Sequence, residues 1–255
     1  MRLPRVFLNG AVASGEVITL PGAAAHHLGN VLRLTPGMPV LGVAPDGTTW
    51  ALAWMGSGRA RVLGRSPEPW PEPDTRMTLA VAVPRGERMD WLVEKAVELG
   101  AASLVPLHTE RSPLGGQVHP GRVARWERLA QAAAEQSGRR CIPPVLPPSD
   151  LVSSLRDFTG PCLVAHPGGE ARPLRELLTA VAGDQPAPTW SPPRAVLVAV
   201  GPEGGFTPRE VDAAVSAGAR LLSLGSRILR VETAAIAALT LVLAGCGALG
   251  QPAGG

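Results

Sequence analysis

A chain of 255 residues is long enough for one large domain or two modest ones, and 45% hydrophobic against 18% charged residues excludes a disordered chain. The cysteines Cys141, Cys162 and Cys246 lie far apart in no CxxC spacing, which argues against a disulfide or zinc framework and for buried thiols in a reducing cytoplasm. Residues 1–65 carry six arginines against Glu16 and Asp46, a balance of +4, while the remaining 190 residues hold 18 basic and 19 acidic groups, a balance of −1; this is the layout of a polyanion-docking module joined to a near-neutral site for chemistry.

The first eight residues include arginines but no apolar run long enough for a secretory leader. Residues 5–8, 16–20, 40–44, 49–54 and 59–63 are short apolar-rich runs divided by turn residues, and they predict five strands. Asp46-Gly47 marks a hairpin between two of them. Residues 26–34 fit one short helix containing His26-His27. Neighbours in a regular element face different ways, so this pair is expected to divide between core and surface. Five strands in 65 residues suggest a small barrel. Between Ser66 and Asp74 proline recurs at every second position, which denies hydrogen bonds to helix or sheet. Residues 66–75 therefore read as an extended linker between a domain at 1–65 and another at 76–255.

Beyond the linker the pattern alternates. Residues 78–83, 103–107, 162–165, 195–200 and 220–224 are nearly continuous apolar runs, as strands buried on both faces require. Helices are predicted over 89–99, 123–137, 174–182 and 208–217, each closed by a glycine: Gly100, Gly138, Gly183 and Gly218. The fold class is α/β with a mainly parallel sheet. A last helix over 232–249 is uncharged from Thr233 onward, and its alanines, with Gly245 and Gly247, suit burial in the protein or a subunit interface better than a membrane.

Ligands of parallel sheets collect in loops at the carboxyl ends of strands. After the predicted strand ending at Val200 comes Gly201-Pro202-Glu203-Gly204-Gly205-Phe206, whose glycines permit a tight loop and close approach of a ligand to backbone. Thr207-Pro208-Arg209-Glu210 then forms a capping box that fixes where the next helix begins. A second loop runs Leu224-Gly225-Ser226-Arg227-Ile228-Leu229-Arg230-Val231-Glu232-Thr233, with an apolar pair between two arginines. A third, His166-Pro167-Gly168-Gly169-Glu170, is weaker alone. No GxGxxG follows a strand, and no GxxxxGK[ST], GxSxG or HExxH occurs, so dinucleotide oxidoreductases, P-loop NTPases, serine hydrolases and zinc peptidases lose support. The histidines show no metal-ligand spacing, and no metal is expected.

Several segments together resemble the RsmE family of SPOUT methyltransferases, which modify N3 of a uridine in the decoding region of 16S ribosomal RNA. They are His26-His27-Leu28 with Val31-Leu32-Arg33, Arg88-Met89-Asp90, Glu94 through Gly100, Glu110-Arg111-Ser112, and Trp126-Glu127-Arg128. Ala134 through Arg139, the glycine loop at Gly201, and Leu224-Gly225 through Glu232-Thr233-Ala234 complete the set. Arg85 stands where the family usually has Lys, and Val97 where Thr is common. The resemblance implies a PUA-like N-terminal barrel, a C-terminal trefoil knot, a homodimer, and S-adenosylmethionine as methyl donor. By position the donor would lie against His166, Val200 through Gly205, Leu224, Gly225, Ile228, Leu229, Arg230 and Thr233. RNA contacts are expected from Arg2, Arg5, His26, His27, Arg33, Arg59 and Arg139.

Uracil N3 attacks only after its proton leaves, so the site needs a proton acceptor and a cation for the resulting anion. Arg230 is the candidate cation, with Glu203 or Glu232 orienting it or accepting the proton. The rival reading is a non-catalytic RNA-binding or ribosome-assembly factor. An oxidoreductase with an atypical nucleotide loop lacks the phosphate fingerprint.

Overall fold

A computed structural model describes residues 3–67, 72–112, 118–181 and 193–249. These fall into two compact units. The first holds residues up to 72 together with 134–142, and the second holds the rest of the described chain. Gly183, expected to close a helix, and part of the proline-rich run lie outside the described residues.

Unit one is a barrel-like sheet of β1 (Arg5–Phe7), β2 (Val17–Thr19), β3 (Pro39–Val43), β4 (Thr49–Gly56) and β5 (Arg59–Arg65). Their spatial order is β1-β3-β4-β5-β2, so the ladder stays open between β1 and β2. Every pair is antiparallel except β1 with β3, where Arg5 lies opposite Leu41. The β3–β4 hairpin turns on Asp46-Gly47: Gly47 takes a positive φ of 79°, and Asp46 Oδ1 accepts from the Thr48 N–H at 2.9 Å. Val6, Leu28, Val40, Leu52, Trp54 and Val62 form the core.

One helix was expected over 26–34. Instead α1 (Gly22–His26) passes into a single π-turn over His27–Val31. Leu28 is fully buried there, while Val31 and Leu32 are exposed and Arg33 sits at a φ of +52°. His26 and His27 both face solvent, against the expected division between core and surface. Apolar burial in this segment rests on Ala24 and Leu28, which leaves the histidines outside.

Unit two is an entirely parallel sheet of β6 (Arg76–Ala82), β7 (Ser103–Leu107), β8 (Cys162–Ala165), β9 (Ala195–Val200) and β10 (Arg220–Leu222), in the order β10-β8-β9-β6-β7. Its helices are α2 (Arg88–Leu99), α3 (Pro120–Ser137), α4 (Leu151–Arg156), α5 (Leu174–Val181), α6 (Pro208–Ser216) and α7 (Val231–Gly245). The last turn of α3 clusters with unit one.

Alternation along the strands assigns the two faces. Ala80, Ala82, Leu197 and Ala199 pack with Leu151 and Leu155 of α4 and Val211 and Ala214 of α6. On the other side α7 packs on β6 and β9, and α2 packs on α7. The short α4 escapes periodicity because only six residues follow a proline-rich approach. Its N-cap Asp150 accepts from the Ser153 N–H at 2.9 Å. The final helix stops at Gly245 rather than 249, where Cys246 leaves helical geometry and Gly247 turns left-handed. Among the described residues no helix is long and apolar enough to cross a membrane. Cys162 and Cys246 are buried as expected, but Cys141 is exposed.

Candidate functional site

Strand order decides where a ligand fits. Next to each other in the sheet, β6 and β9 send their connections to opposite faces: β6 leads into α2 and β9 into α6. Such a switch point opens a crevice beyond the carboxyl ends of the strands. The three loops singled out from sequence follow β8, β9 and β10, which are neighbours in one parallel sheet, so all three emerge on that edge.

The loop after β9 is rigidly built. Val200 ends the strand buried, Gly201 is half-buried and Pro202 is buried. A Cβ on Gly201 would sit 3.0 Å from the Phe206 ring and 3.1 Å from its backbone nitrogen, so any side chain there would push Phe206 aside by a few tenths of an ångström. Gly205 takes a φ of +69°. The capping box follows as read: Thr207 Oγ1 accepts from the Glu210 N–H at 3.2 Å, and Glu210 Oε2 accepts from the Thr207 N–H at 2.8 Å. The loop after β7 clamps this segment. Arg111 Nη1 donates to the Gly204 carbonyl at 2.7 Å, and the Glu110 N–H reaches Glu210 Oε1 at 3.0 Å. A hydrogen bond from Arg209 holds the Glu110 carboxyl below the usual carboxylate range.

After β10 the chain is open. Leu224 and Leu229 are half-buried, Gly225 has a φ of +100°, and Ile228 is 97% exposed. Arg227 and Arg230 are exposed on either side of the Ile228-Leu229 pair, and Arg230 serves as N-cap of α7 without a side-chain capping bond. Thr233 is exposed one turn into the helix. After β8, His166 is half-buried and donates its N–H to the Leu222 carbonyl at 3.0 Å, tying this loop to β10.

Glu203 and Glu232 are brought together by Arg88, a residue named in the family resemblance but given no role at the site. Arg88, the first residue of α2, lies with Nη1 3.5 Å from Glu203 Oε1 and Nε 3.9 Å from Glu232 Oε1. The predicted helix begins at Met89 and leaves Arg88 just outside it. The only signal in the sequence is its place in the Arg88-Met89-Asp90 segment of the family resemblance, which assigns it no role. Glu232 is 14% exposed, and its Oε2 is sealed from solvent with no hydrogen-bond partner among the described residues. A buried acceptor left so costs about 1–3 kcal/mol, which folding alone gives no reason to bear. Arg230, expected beside these carboxylates, forms no ion pair with a described residue. Among the described residues no cluster of His, Cys, Asp and Glu is arranged to hold a metal.

Residues 71–243 match the model of the RNA methyltransferase domain family. Ribosomal RNA small subunit methyltransferase E of a Synechocystis species is 34% identical over 227 residues, covering 88% of this chain and 72% of that protein. The chain belongs to this methyltransferase E family. Two solved structures carry the same fold. Methyltransferase E of Neisseria gonorrhoeae bound to S-adenosylmethionine is 31% identical with a TM-score of 0.80, covering 95% of this chain and 98% of that one. A methyltransferase of Legionella pneumophila in complex with the same molecule is 30% identical with a TM-score of 0.82, covering 96% and 98%.

For a methyltransferase E the arginines of unit one were expected to meet RNA, and the structure divides them. Arg33 and Arg59 are exposed, as are His26 and His27, and Asn30 Nδ2 lies 2.9 Å from His26 Nδ1. Arg5 and Arg139 are buried instead. Arg5 Nη1 donates to the Arg139 carbonyl at 2.8 Å, and the 7%-exposed Arg139 side chain pairs with Glu72 at 2.6 Å. Burial pushes the Glu72 carboxyl upward, but Arg139 and the Arg140 N–H outweigh it and hold it below the usual range. Charge counting could not separate these roles, because a guanidinium that knits the barrel to residues 134–142 looks like any other arginine in sequence. Arg2 lies outside the described residues.

Proposed function

We propose that the chain transfers a methyl group from S-adenosylmethionine to N3 of a uridine in the decoding region of 16S ribosomal RNA. Methylation of ribosomal RNA with this donor is the activity of the methyltransferase E family to which the chain belongs. The uridine and its N3 rest on the family resemblance and on what the site can do. The observation that carries the reading is the convergence of Glu203, Glu232 and a cation at the switch-point crevice, beside a loop closed by glycines.

The residues present fit the donor. Gly225 and Gly205 leave backbone open, with nothing within 4 Å of where a side chain would start. Ile228 and Leu229 offer an apolar face to an adenine ring, and carboxylates lie close by for a cationic ligand. His166, Val200, Pro202, Leu224 and Thr233, with the backbone of Arg230, complete the cradle. When bound, the donor supplies an electrophilic methyl on a sulfonium sulphur. The chain supplies the rest. A carboxylate, Glu203 or Glu232, accepts the N3 proton, and Arg230 faces the charge that spreads onto the uracil oxygens. Holding the two reactants in line contributes about 7–11 kcal/mol, and a guanidinium on the developing anion about 3–4 kcal/mol. The target base must be unstacked to enter.

Deleting the protein should remove one 3-methyluridine from 16S ribosomal RNA, read by mass mapping, and restoring it should return the mark. An unchanged set of marks would leave the RNA-binding factor as the better reading. The chain is proposed to act in the cytoplasm as a homodimer, with Ala237, Thr240, Leu241 and Ala244 aligned on the outer side of α7 as the contact. Purified protein should accordingly sediment at twice the chain mass.

Arg33 and Arg59 are proposed to grip phosphate. Each neutralised phosphate contributes about 0.9 to the slope of log affinity against log salt on a duplex and about 0.7 on a single strand. Replacing both by Ala should flatten that slope by about 1.4–1.8 while weakening all RNA sequences alike. An unmoved slope would assign the docking elsewhere.

A further inference from the structure

We propose that Arg88 is a positioning residue for methyl transfer, holding Glu232 as the carboxylate that accepts the substrate proton. This rests on the reading above and selects between its two candidate acceptors. Arg88 stands where α2 leaves the switch-point strand β6, and its guanidinium meets one carboxylate from the loop after β9 and another from the start of α7. It thereby ties three separate chain segments at the edge of the crevice.

The two carboxylates are not equivalent. Glu203 is 38% exposed, so water screens its pairing with Arg88 and its carboxylate turns freely. Glu232 is largely enclosed, and Oε2 faces neither water nor a donor among the described residues. Whatever access the side chain keeps therefore lies away from Oε2. Oε1 is the oxygen turned to Arg88, at 3.9 Å. That separation is an ion pair rather than a hydrogen bond, which leaves the lone pairs of Oε1 available to another donor. A guanidinium so placed fixes the direction of the carboxylate without occupying it. It also keeps the charge beside a counter-ion in an enclosed place, where a lone carboxylate is costly. Lysine supplies the charge without the planar fork, so it should serve partly.

The test measures single-turnover methyl transfer from S-adenosylmethionine to 30S subunits lacking the mark, with the methylated position mapped by mass. Arg88→Ala should slow transfer by about 10–100-fold, below the roughly 10²–10⁴ that a general base provides, and leave donor affinity within about twofold by calorimetry. Added guanidinium chloride should recover part of the loss, and Arg88→Lys should retain about a third of the rate or more. Arg88→Ala combined with Glu232→Gln should be no slower than Glu232→Gln alone, whereas Arg88→Ala and Glu203→Gln should multiply. Transfer within threefold of wild type, losses that multiply with Glu232→Gln, or donor affinity falling in step with rate without guanidinium rescue would each overturn the proposal. The mapped position answers separately for uridine N3: methyl found elsewhere refutes that assignment, while the variant comparison still reports on Arg88.

Discussion

Arg230→Ala should transfer methyl groups about 10²–10³-fold more slowly than the wild-type protein while binding S-adenosylmethionine nearly as tightly. The side chain is exposed and forms no ion pair with a described residue, so the fold does not depend on it. It caps α7 only through backbone geometry, at φ −68° and ψ 156°, with no side-chain hydrogen bond. A cation there also opposes the helix dipole, at a cost of about 0.3–1 kcal/mol. Removing it should leave the melting temperature unchanged or slightly raised. A charge kept where local electrostatics disfavours it needs another reason, and the anion that develops on uracil provides one. Arg230→Lys should recover only part of the rate, since a compact ammonium presents fewer directed donors to a uracil oxygen than the planar fork does. Rate within threefold of wild type in Arg230→Ala, measured in a single turnover at saturating donor, would remove Arg230 from the mechanism.

Arg230 and Arg88 also mark where sequence reading ends. Apolar runs placed all five strands of unit two within a few residues, because strands buried on both faces leave a continuous signature: β9 is Ala-Val-Leu-Val-Ala-Val. Glycines and a capping box located the loop after β9 for the same local reason. Strand order is not local. Nothing in residues 76–82 says that β9 will lie beside β6, so nothing foretells that Arg88 will face Glu203 and Glu232. In unit one, composition gave a basic segment, but Arg5 and Arg139 spend their charge on a carbonyl and on Glu72. The π-turn at His27–Val31 departs from the helical period, and two solvent-facing histidines resulted where one was expected. Residues 134–142 continue a predicted helix of the second domain yet cluster with the first unit, held by Glu72 and by the bond from Arg140 Nε to the Gly47 carbonyl at 3.2 Å.

Gly201→Val should weaken S-adenosylmethionine binding by about 100-fold or more, and Gly201→Ala by about tenfold, with rate at saturating donor less affected than affinity. A Cβ at this position meets the Phe206 backbone nitrogen at 3.1 Å and the ring at 3.0 Å. Phe206 resists that shift, since its ring is packed in the cluster with Ala199, Val211 and Ala214. The strain must therefore go into the glycine loop, which the bond from Arg111 to Gly204 and the capping box at Thr207 hold at its far end. Gly204 provides the contrast. A Cβ there meets only the Arg111 side chain, nearest at 3.3 Å, and a long flexible chain gives way readily. Gly204→Ala should accordingly lose less affinity than Gly201→Ala, although both place one methyl in the same loop. Calorimetry on the three variants decides the matter. Equal losses at 201 and 204 would mean that the donor touches backbone along the whole loop, and undiminished affinity in Gly201→Val would place the donor somewhere other than against the end of β9.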